Sequence, residues 1–322
     1  MLRGCVAGCG NIGPIHVASL EKRGALAAVC DIRRERMERF NAEKYTSLDE
    51  ALLRGSFDIV HICTPHYLHF PMTKSALKAG KYVVLEKPVG ITREEMQVLM
   101  SGEGSERVCI MLQNRKNPCF TELKKLSDSG KYGRIKQLCG FLTWSRTKEY
   151  YLSDNWRGKW ATEGGALLIN QAVHTIDLLC CLGGGYESLT GGISSRKLSG
   201  VIEAEDTADA VIKMKNGAEA CFYATNCAME NSLPRIEVTF ENGHVLNYMS
   251  GMLFDIFEDN AEIICRDSAI VPGKSYWGAG HDIVINEFYD YCEGKTDSFL
   301  RLSEACDAMN VIFDMYEGRK TK

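Results

Sequence analysis

The sequence predicts an α/β protein in two parts: an N-terminal, doubly wound parallel sheet and a C-terminal α+β domain with an open, mostly antiparallel sheet. Three features carry that expectation. From Arg3 to Leu112, short apolar runs alternate with stretches of helical period, as expected for strands buried on both faces by crossover helices. The stretch GCGNIG, residues 8–13, falls between the first such run and the first helix. Beyond Arg115, strand-like stretches dominate, and Asn-Gly joins two pairs of them.

Element by element, RGCVAG (3–8) reads as a strand and IGPIHVASLEKRG (12–24) as a helix stopped by Gly24. ALAAVCD (25–31) is the second strand, and RRERMERFNAEK (33–44) predicts a charged helix. Ser47 with Glu50 has capping-box spacing for a short helix through Leu53. FDIVHICTP (57–65) is a strand ended by proline, LHFPMTKSALKAG (68–80) a helix closed by Gly80, and KYVVLEKP (81–88) a strand. Thr92 and Glu95 cap a further helix, and RVCIMLQ (107–113) completes the alternation. A helix near Cys119–Ser127 then leads into the second part, where KNGA (215–218) and ENGH (241–244) predict hairpins. An apolar helix over about 164–182 interrupts these strands, and two helices, about 280–293 and 303–318, close the chain. The style changes near residues 114–120, and the boundary is drawn as 1–118 and 119–322.

At 322 residues the chain suits two domains of ordinary size. Its net charge of −4, with no basic stripe, argues against nucleic acid or an anionic membrane as the main partner. No apolar run reaches the roughly 18 residues of a membrane span. The N-terminus passes from Arg3 straight into a strand-like run, unlike a secretory signal. The fourteen cysteines are scattered, several in apolar runs (Cys5, Cys30, Cys63, Cys180, Cys181), and form no C-x-x-C pair. Reduced, buried thiols in a cytoplasmic protein fit this better than a disulfide framework.

A lone G-x-G-x-x-G motif is weak, but here its context is what dinucleotide binding requires. A strand precedes it, a helix opens at Asn11–Ile12, and Asp31 ends the second strand about twenty residues on. Gly8 would allow the tight turn, Gly10 the approach of a pyrophosphate, and Gly13 close packing of helix on strand, as in a Rossmann domain. The helix N-terminus adds amides and a partial positive charge for the phosphates. Asp31 is placed to accept from both ribose hydroxyls and to repel a 2′-phosphate, which favours NAD. Arg33 and Arg34 weaken that preference, so NADP is the alternative cofactor, although a solvated helix start is the plainer account of these arginines.

Two further stretches carry chemistry. In VVLEKPVG (83–90), Glu86 and Lys87 stand at the C-terminal end of a parallel strand, the edge where such sheets bind ligands. Partial burial and a positive nicotinamide ring would lower the Lys87 pKa and suit it to move a proton. From position alone, a surface lysine at a strand end is the plainer reading. In WRGKWATEGGALLINQAVHTIDLL (156–179), Asn170 and His174 lie four apart on a predicted helix and share a face, with Asp177 one turn further. A single histidine on an apolar helix is more often a core residue than a catalyst, but the Gly-Gly approach and the neighbouring asparagine raise its standing.

In order, GCGNIG, ICTPHYLH, LEKPVG, MLQNRKNP, WRGKW, EGGALLINQAVHTID and GHDIVINEFYDY resemble the glucose–fructose oxidoreductase / inositol dehydrogenase / MocA family, along essentially the whole chain. The resemblance implies a nucleotide-binding first domain. It also implies a second domain for substrate and oligomerisation, whose open sheet supports a homodimer or homotetramer and whose C-terminal helix has the option of packing on the first domain. Gly8, Gly10, Asn11, Ile12, Gly13 and Asp31 match the cofactor loop and ribose acid. Cys63, Thr64, Pro65 and His69 match the segment beside adenosine and pyrophosphate. Glu86 and Lys87 match the nicotinamide-side pair, with Lys87 the usual acid/base and the Lys87–Pro88 bond often cis. Gln113 and Asn114 match positions lining nicotinamide and substrate, and Trp156 and Arg157 a pair reaching the cofactor from the second domain. His174 matches the second catalytic residue, and Asn170 a substrate contact. Many polyol-oxidising members carry aspartate where this chain has Asn170, and an amide cannot accept a proton, so the load falls on Lys87 and His174.

The implied activity is hydride transfer between NAD and a hydroxyl or ketone carbon of a sugar, sugar derivative or cyclic polyol, with the hydroxyl between Lys87 and His174. The rivals are a non-catalytic dinucleotide-binding regulator and a dihydrodiol dehydrogenase-like or imine-reducing enzyme. A metal site at His61, His66 and His69 is rejected, because their directions diverge and no carboxylate joins them. His281 is left out of catalysis, with helix capping at least as good an account as substrate contact. Cys9 is read as packing beneath the glycine loop. Tyr150, Tyr151 and Trp160 fit a sugar site, a core or a dimer contact equally.

Overall fold

A computed structural model describes residues 1–233, 235–267 and 280–318. In chain order its elements begin β1 (Gly4–Ala7), α1 (Gly13–Arg23), β2 (Leu26–Cys30), β3 (Glu43–Tyr45) and α2 (Leu48–Arg54). They continue with β4 (Ile59–Ile62), α3 (His69–Lys78), β5 (Tyr82–Leu85), α4 (Arg93–Ser101) and β6 (Val108–Ile110). Then come α5 (Pro118–Asp128), β7 (Ile135–Thr143), α6 (Lys148–Leu152), α7 (Val173–Leu182), β8 (Tyr186–Ser194), β9 (Thr207–Met214) and β10 (Glu219–Thr225). The last are β11 (Arg235–Phe240), β12 (Val245–Met249), β13 (Met252–Phe257), β14 (Asn260–Arg266), α8 (Gly280–Cys292) and α9 (Cys306–Gly318).

The chain divides into two compact units: residues 1–113 with 281–305, and 114–280 with 306–322. That grouping differs from the division at 118/119, because α8 returns to the first unit while α9 stays in the second. Contacts along α8 account for its place: Ser19 Oγ donates to Asp282 (2.6 Å), and Arg23 donates to Asn286 (2.9 Å) and Asp290 (2.6 Å).

In the first unit six parallel strands run in the order β3-β2-β1-β4-β5-β6. The strand order reverses between β1 and β4, the crevice where open α/β sheets bind ligands. Core strands β1 and β4 are buried at every position, as their unbroken apolar runs require. In the second unit eight strands run β14-β13-β12-β11-β7-β10-β9-β8, all neighbours antiparallel except β7 and β10. Both Asn-Gly hairpins form, β9 turning into β10 and β11 into β12. Alternate residues of β9 are buried, so one face of that sheet packs inward.

Three local expectations need correction. Residues 33–44 form only a 3-10 turn at Arg34–Arg36, followed by edge strand β3. Their apolar stripe amounts to Met37 and Phe40, and the backbone of Lys44 and Tyr45 pairs instead with Val29 and Cys30. Ser47 precedes α2 but its side chain makes no cap bond, and Glu50 pairs with Arg54 (2.9 Å). Thr92, by contrast, caps α4 by accepting from the Glu95 amide (3.2 Å). The apolar helix starts at Leu167, not near 164, and its first six residues are wound as π-helix before α7. Gly164 and Gly165 have φ of 81° and 145°, outside the helical region, and Glu205 Oε1 accepts from the amides of Ala166 (3.3 Å) and Leu168 (2.8 Å).

No helix among the described residues is long and apolar enough to cross a membrane. The fourteen cysteines are thiols; Cys5, Cys30, Cys63 and Cys180 are buried, while Cys181 is half-buried.

Candidate active site

In the first unit the sequence-predicted residues gather where parallel neighbours end: the glycine loop after β1, Asp31 after β2, Cys63–Pro65 after β4, and Glu86–Lys87 after β5. Gly8 has φ 98°, and a Cβ there would lie 2.4 Å from the Cys63 carbonyl oxygen. A Cβ on Gly13 would lie 2.0 Å from the Gly8 carbonyl oxygen. Both glycines are therefore imposed by the chain's own packing. Gly10 is different: the nearest heavy atom to a Cβ is Arg36 Nη1 at 3.6 Å, an ordinary contact. The chain's own packing thus leaves room for a side chain at position 10, unlike at Gly8 and Gly13. Asn11 is exposed, and no side chain caps α1 after Ile12, nor does an acid occupy its first turn.

Asp31 is buried and pinned: Oδ2 accepts from the Cys9 amide (2.8 Å) and Oδ1 from the Arg33 amide (2.9 Å). Each oxygen keeps acceptor capacity, as a ribose diol requires. Arg36, rather than Arg33 or Arg34, brings its guanidinium near the carboxylate, at 3.8 Å. Cys9 is buried, and burial, followed by the Asp31 charge, pushes its thiol up to about 11.

His69 ties two of these segments together, one ring nitrogen 2.7 Å from the Pro88 carbonyl and the other 2.9 Å from that of Thr64. Burial lowers its pKa while the two carbonyls draw it upward. The Lys87–Pro88 bond is cis. Glu86 is buried, its Oε1 3.1 Å from His16 Nε2 and 3.6 Å from His281 Nε2. Burial pushes the carboxyl up, but the His16 hydrogen bond and the nearby His281 imidazole together outweigh it and hold Glu86 well below the usual carboxylate range. The network continues from His16 Nδ1 to His61 Nδ1 (2.9 Å) and from His61 Nε2 to the Tyr289 hydroxyl (3.1 Å). His61 and His69 thus face different partners, and among the described residues no group of three or more His, Cys, Asp or Glu could hold a metal ion. His281 faces Glu86, a role neither capping nor substrate contact anticipated; Gly278 and Ala279 before it lie outside the described residues.

Gln113 and Asn114 are buried in the 3-10 segment Gln113–Lys116. In the second unit the Arg157 guanidinium stacks on Tyr150 (4.5 Å) and Trp156 (4.8 Å), donates to the Tyr150 hydroxyl, and pairs with Asp154 (3.2 Å). Asn170 lies in the π-wound segment, and its amide nitrogen donates to Glu163 Oε1 at 2.5 Å. His174 stands half-buried in the first turn of α7. Asp177 is buried and takes both arms of Arg115, at 2.9 and 2.6 Å. Tyr151 belongs to a core cluster with Ala166, Leu198 and Ala204, and Tyr150 and Trp160 pack against it.

Sequence reasoning missed Glu163. It is fully buried, accepts from the Gly158 amide as well as from Asn170, and burial raises its pKa to about 7. The available signal was an acid set directly before Gly-Gly in an apolar stretch.

A family model described as the oxidoreductase family with an NAD-binding Rossmann fold matches residues 2–114, and one for the GFO/IDH/MocA C-terminal domain matches residues 120–246. The chain belongs to the Gfo/Idh/MocA family. Residues 2–114 correspond to the NAD-binding Rossmann part of this family. Among Gfo/Idh/MocA relatives, levoglucosan dehydrogenase of Pseudarthrobacter phenanthrenivorans is 26% identical, over 73% of this chain and 65% of its own length. An oxidoreductase of Schizosaccharomyces pombe is 30% identical over 50% of this chain and 44% of its own length. The chain thus spans less than two thirds of the curated relatives it first matches. The crystal structure of WlbA dehydrogenase from Chromobacterium violaceum, in complex with NADH and UDP-GlcNAcA, is similar with a TM-score of 0.80 at 25% identity. That similarity covers 99% of this chain and 94% of the other.

Proposed function

We propose that this Gfo/Idh/MocA protein is an NAD-dependent dehydrogenase acting on a hydroxyl-bearing carbon of a sugar, sugar derivative or cyclic polyol. The observation that carries the reading is the pair Glu86–Lys87, a lysine following a carboxylate held ionised, at the sheet edge that also bears the glycine loop and Asp31. Gly10 admits the pyrophosphate, Asp31 accepts from the adenosine ribose, and Cys63, Thr64, Pro65 and His69 shape the adjoining wall. Bound NAD supplies the hydride acceptor. Lys87 takes the proton that leaves the substrate hydroxyl and returns it in the reverse direction. His174 orients that hydroxyl, Asn170 and Asn114 fix the rest of the sugar, and Gln113, Trp156 and Arg157 hold the nicotinamide side.

The pinned Asp31 supports NAD over NADP. A relative named for levoglucosan and a structure holding UDP-GlcNAcA support a carbohydrate substrate. Half-exposed Val211, Tyr223, Met249 and Ile263 on the second unit's sheet support a homodimer or homotetramer formed through that sheet. Fourteen scattered cysteines with no C-x-x-C pair support a reducing compartment, the cytoplasm.

Purified protein mixed with NAD and a panel of levoglucosan, free sugars, inositols and UDP-sugars is expected to raise absorbance at 340 nm with at least one member. Lys87→Met is expected to lower kcat by about a hundred- to ten-thousand-fold while leaving NAD affinity nearly unchanged. Silence across the panel with tight NAD binding would favour a non-catalytic dinucleotide-binding regulator.

A further inference from the structure

We propose that Glu163 is a positioning residue for sugar binding: by accepting at once from the Asn170 side-chain amide and the Gly158 backbone amide, it fixes which end of Asn170 meets the ligand and fastens the Trp156–Gly158 turn to the π-wound segment. The inference rests on reading Asn170 as a sugar contact. Glu163 has no exposed surface, so it does not serve solubility, and burying a carboxyl is unfavourable unless its acceptors are used. Both bonds lead to candidate-site segments: Gly158 follows Trp156 and Arg157, and Asn170 lies one turn before His174.

An ionised carboxylate only accepts, so the Asn170 NH₂ must face it. With the NH₂ turned to Glu163, the carbonyl oxygen is the end of Asn170 that would meet a sugar hydroxyl. A protonated Glu163 carries an O–H of its own and can donate to that carbonyl, which lets the amide turn over. The charged and titratable groups around it come from several elements. Arg157, in the adjoining turn, favours the charged form, and Glu205, ahead of β9, opposes it. Tyr150 and Tyr151 of α6 and Tyr316 of α9 all feel its charge. Burial is the largest influence, and the balance puts the two forms near equal at about pH 7.

The wild-type KM for a turned-over sugar should therefore fall about five- to tenfold as pH rises from 6 to 8, with kcat changing less. Glu163→Gln should hold the higher KM across that range and lose the inflection. Asn170→Ala should raise KM similarly, and the double variant should add little to either single one, since both remove the same oriented amide. Wild-type KM independent of pH, or a Glu163→Gln enzyme with wild-type KM and profile, would overturn the inference and leave the dehydrogenase reading standing. Should no sugar be turned over, or should Glu163→Gln fail to fold, ¹⁵N NMR of the wild-type Asn170 side-chain amide decides the matter. Its NH₂ resonances are expected to titrate with a midpoint near pH 7, and constant shifts between pH 5.5 and 8.5 would sink the proposal.

Discussion

At the Gly8, Gly10 and Gly13 positions, one motif divides into two kinds of requirement. Gly8 and Gly13 are demanded by carbonyl oxygens of the chain itself, whereas a side chain at Gly10 meets only the tip of Arg36. Gly13→Ala should therefore lower stability by about 1–3 kcal/mol, because backbone must move to admit the methyl group. Gly10→Ala should melt within a few degrees of wild type yet bind NAD at least tenfold more weakly. Thermal melts paired with a fluorescence titration of NAD check both, and a destabilised Gly10→Ala with intact affinity would reverse the assignment. This loop and Asp31 were legible because strand, turn and helix follow one another within thirty residues, so local order fixes the spatial arrangement. Glu163 and the histidines around Glu86 were not. A buried polar side chain is defined by its partners, and those of Glu86 come from α1 and from α8, nearly two hundred residues away in sequence.

Among the elements, most strands announced themselves by burial on both faces or by alternation, β3 and the largely exposed β8 excepted, and both Asn-Gly turns fell between the strands they join. Winding was harder to read. Charged residues after Asp31 have helix-forming side chains, but with only Met37 and Phe40 for an apolar stripe the backbone gains more by pairing with β2. The π-winding before α7 depends on Glu205, which anchors two amides from about forty residues downstream. Within the second unit, α7 is held by the buried Arg115–Asp177 pair, whose two bonds engage both carboxylate oxygens. Arg115→Ala should destabilise the protein by about 3–5 kcal/mol, since Asp177 would keep its charge in a buried setting without its guanidinium. Arg115→Lys should recover only part of this, because an ammonium cannot make the two-pronged contact. Urea denaturation followed by circular dichroism measures both, and an Arg115→Ala midpoint equal to wild type would show the pair to be dispensable.

Across the whole molecule, the buried titratable groups of the two units pull stability in opposite directions with pH. In the first unit, burial lowers the pKa of His61 well below 6.5 and that of His281 below it too, so both take up a proton less readily in the native state than in the unfolded chain. An unfolded chain binds protons at these sites as pH drops through about 6.5 more readily than the folded chain does, and stability is lost on the acid side. Glu86 adds to that limb, because its folded pKa lies well below 4.5 and its contribution fades as pH falls under that value. Glu163 in the second unit behaves in the reverse sense. Its folded pKa of about 7 exceeds the unfolded 4.5, so its contribution is complete below pH 4.5 and disappears as pH rises through 7. Differential scanning calorimetry from pH 5 to 8.5 should therefore find a maximum in Tm between the two limbs. His61→Asn, which keeps a hydrogen-bonding side chain without a titrating ring, should flatten the acid limb and leave the other unchanged. Glu163→Gln should flatten the limb above pH 6 and spare the acid one. Equal slopes in wild type and both variants would mean that ionisation elsewhere governs the pH response, and would remove these buried groups from the account of stability.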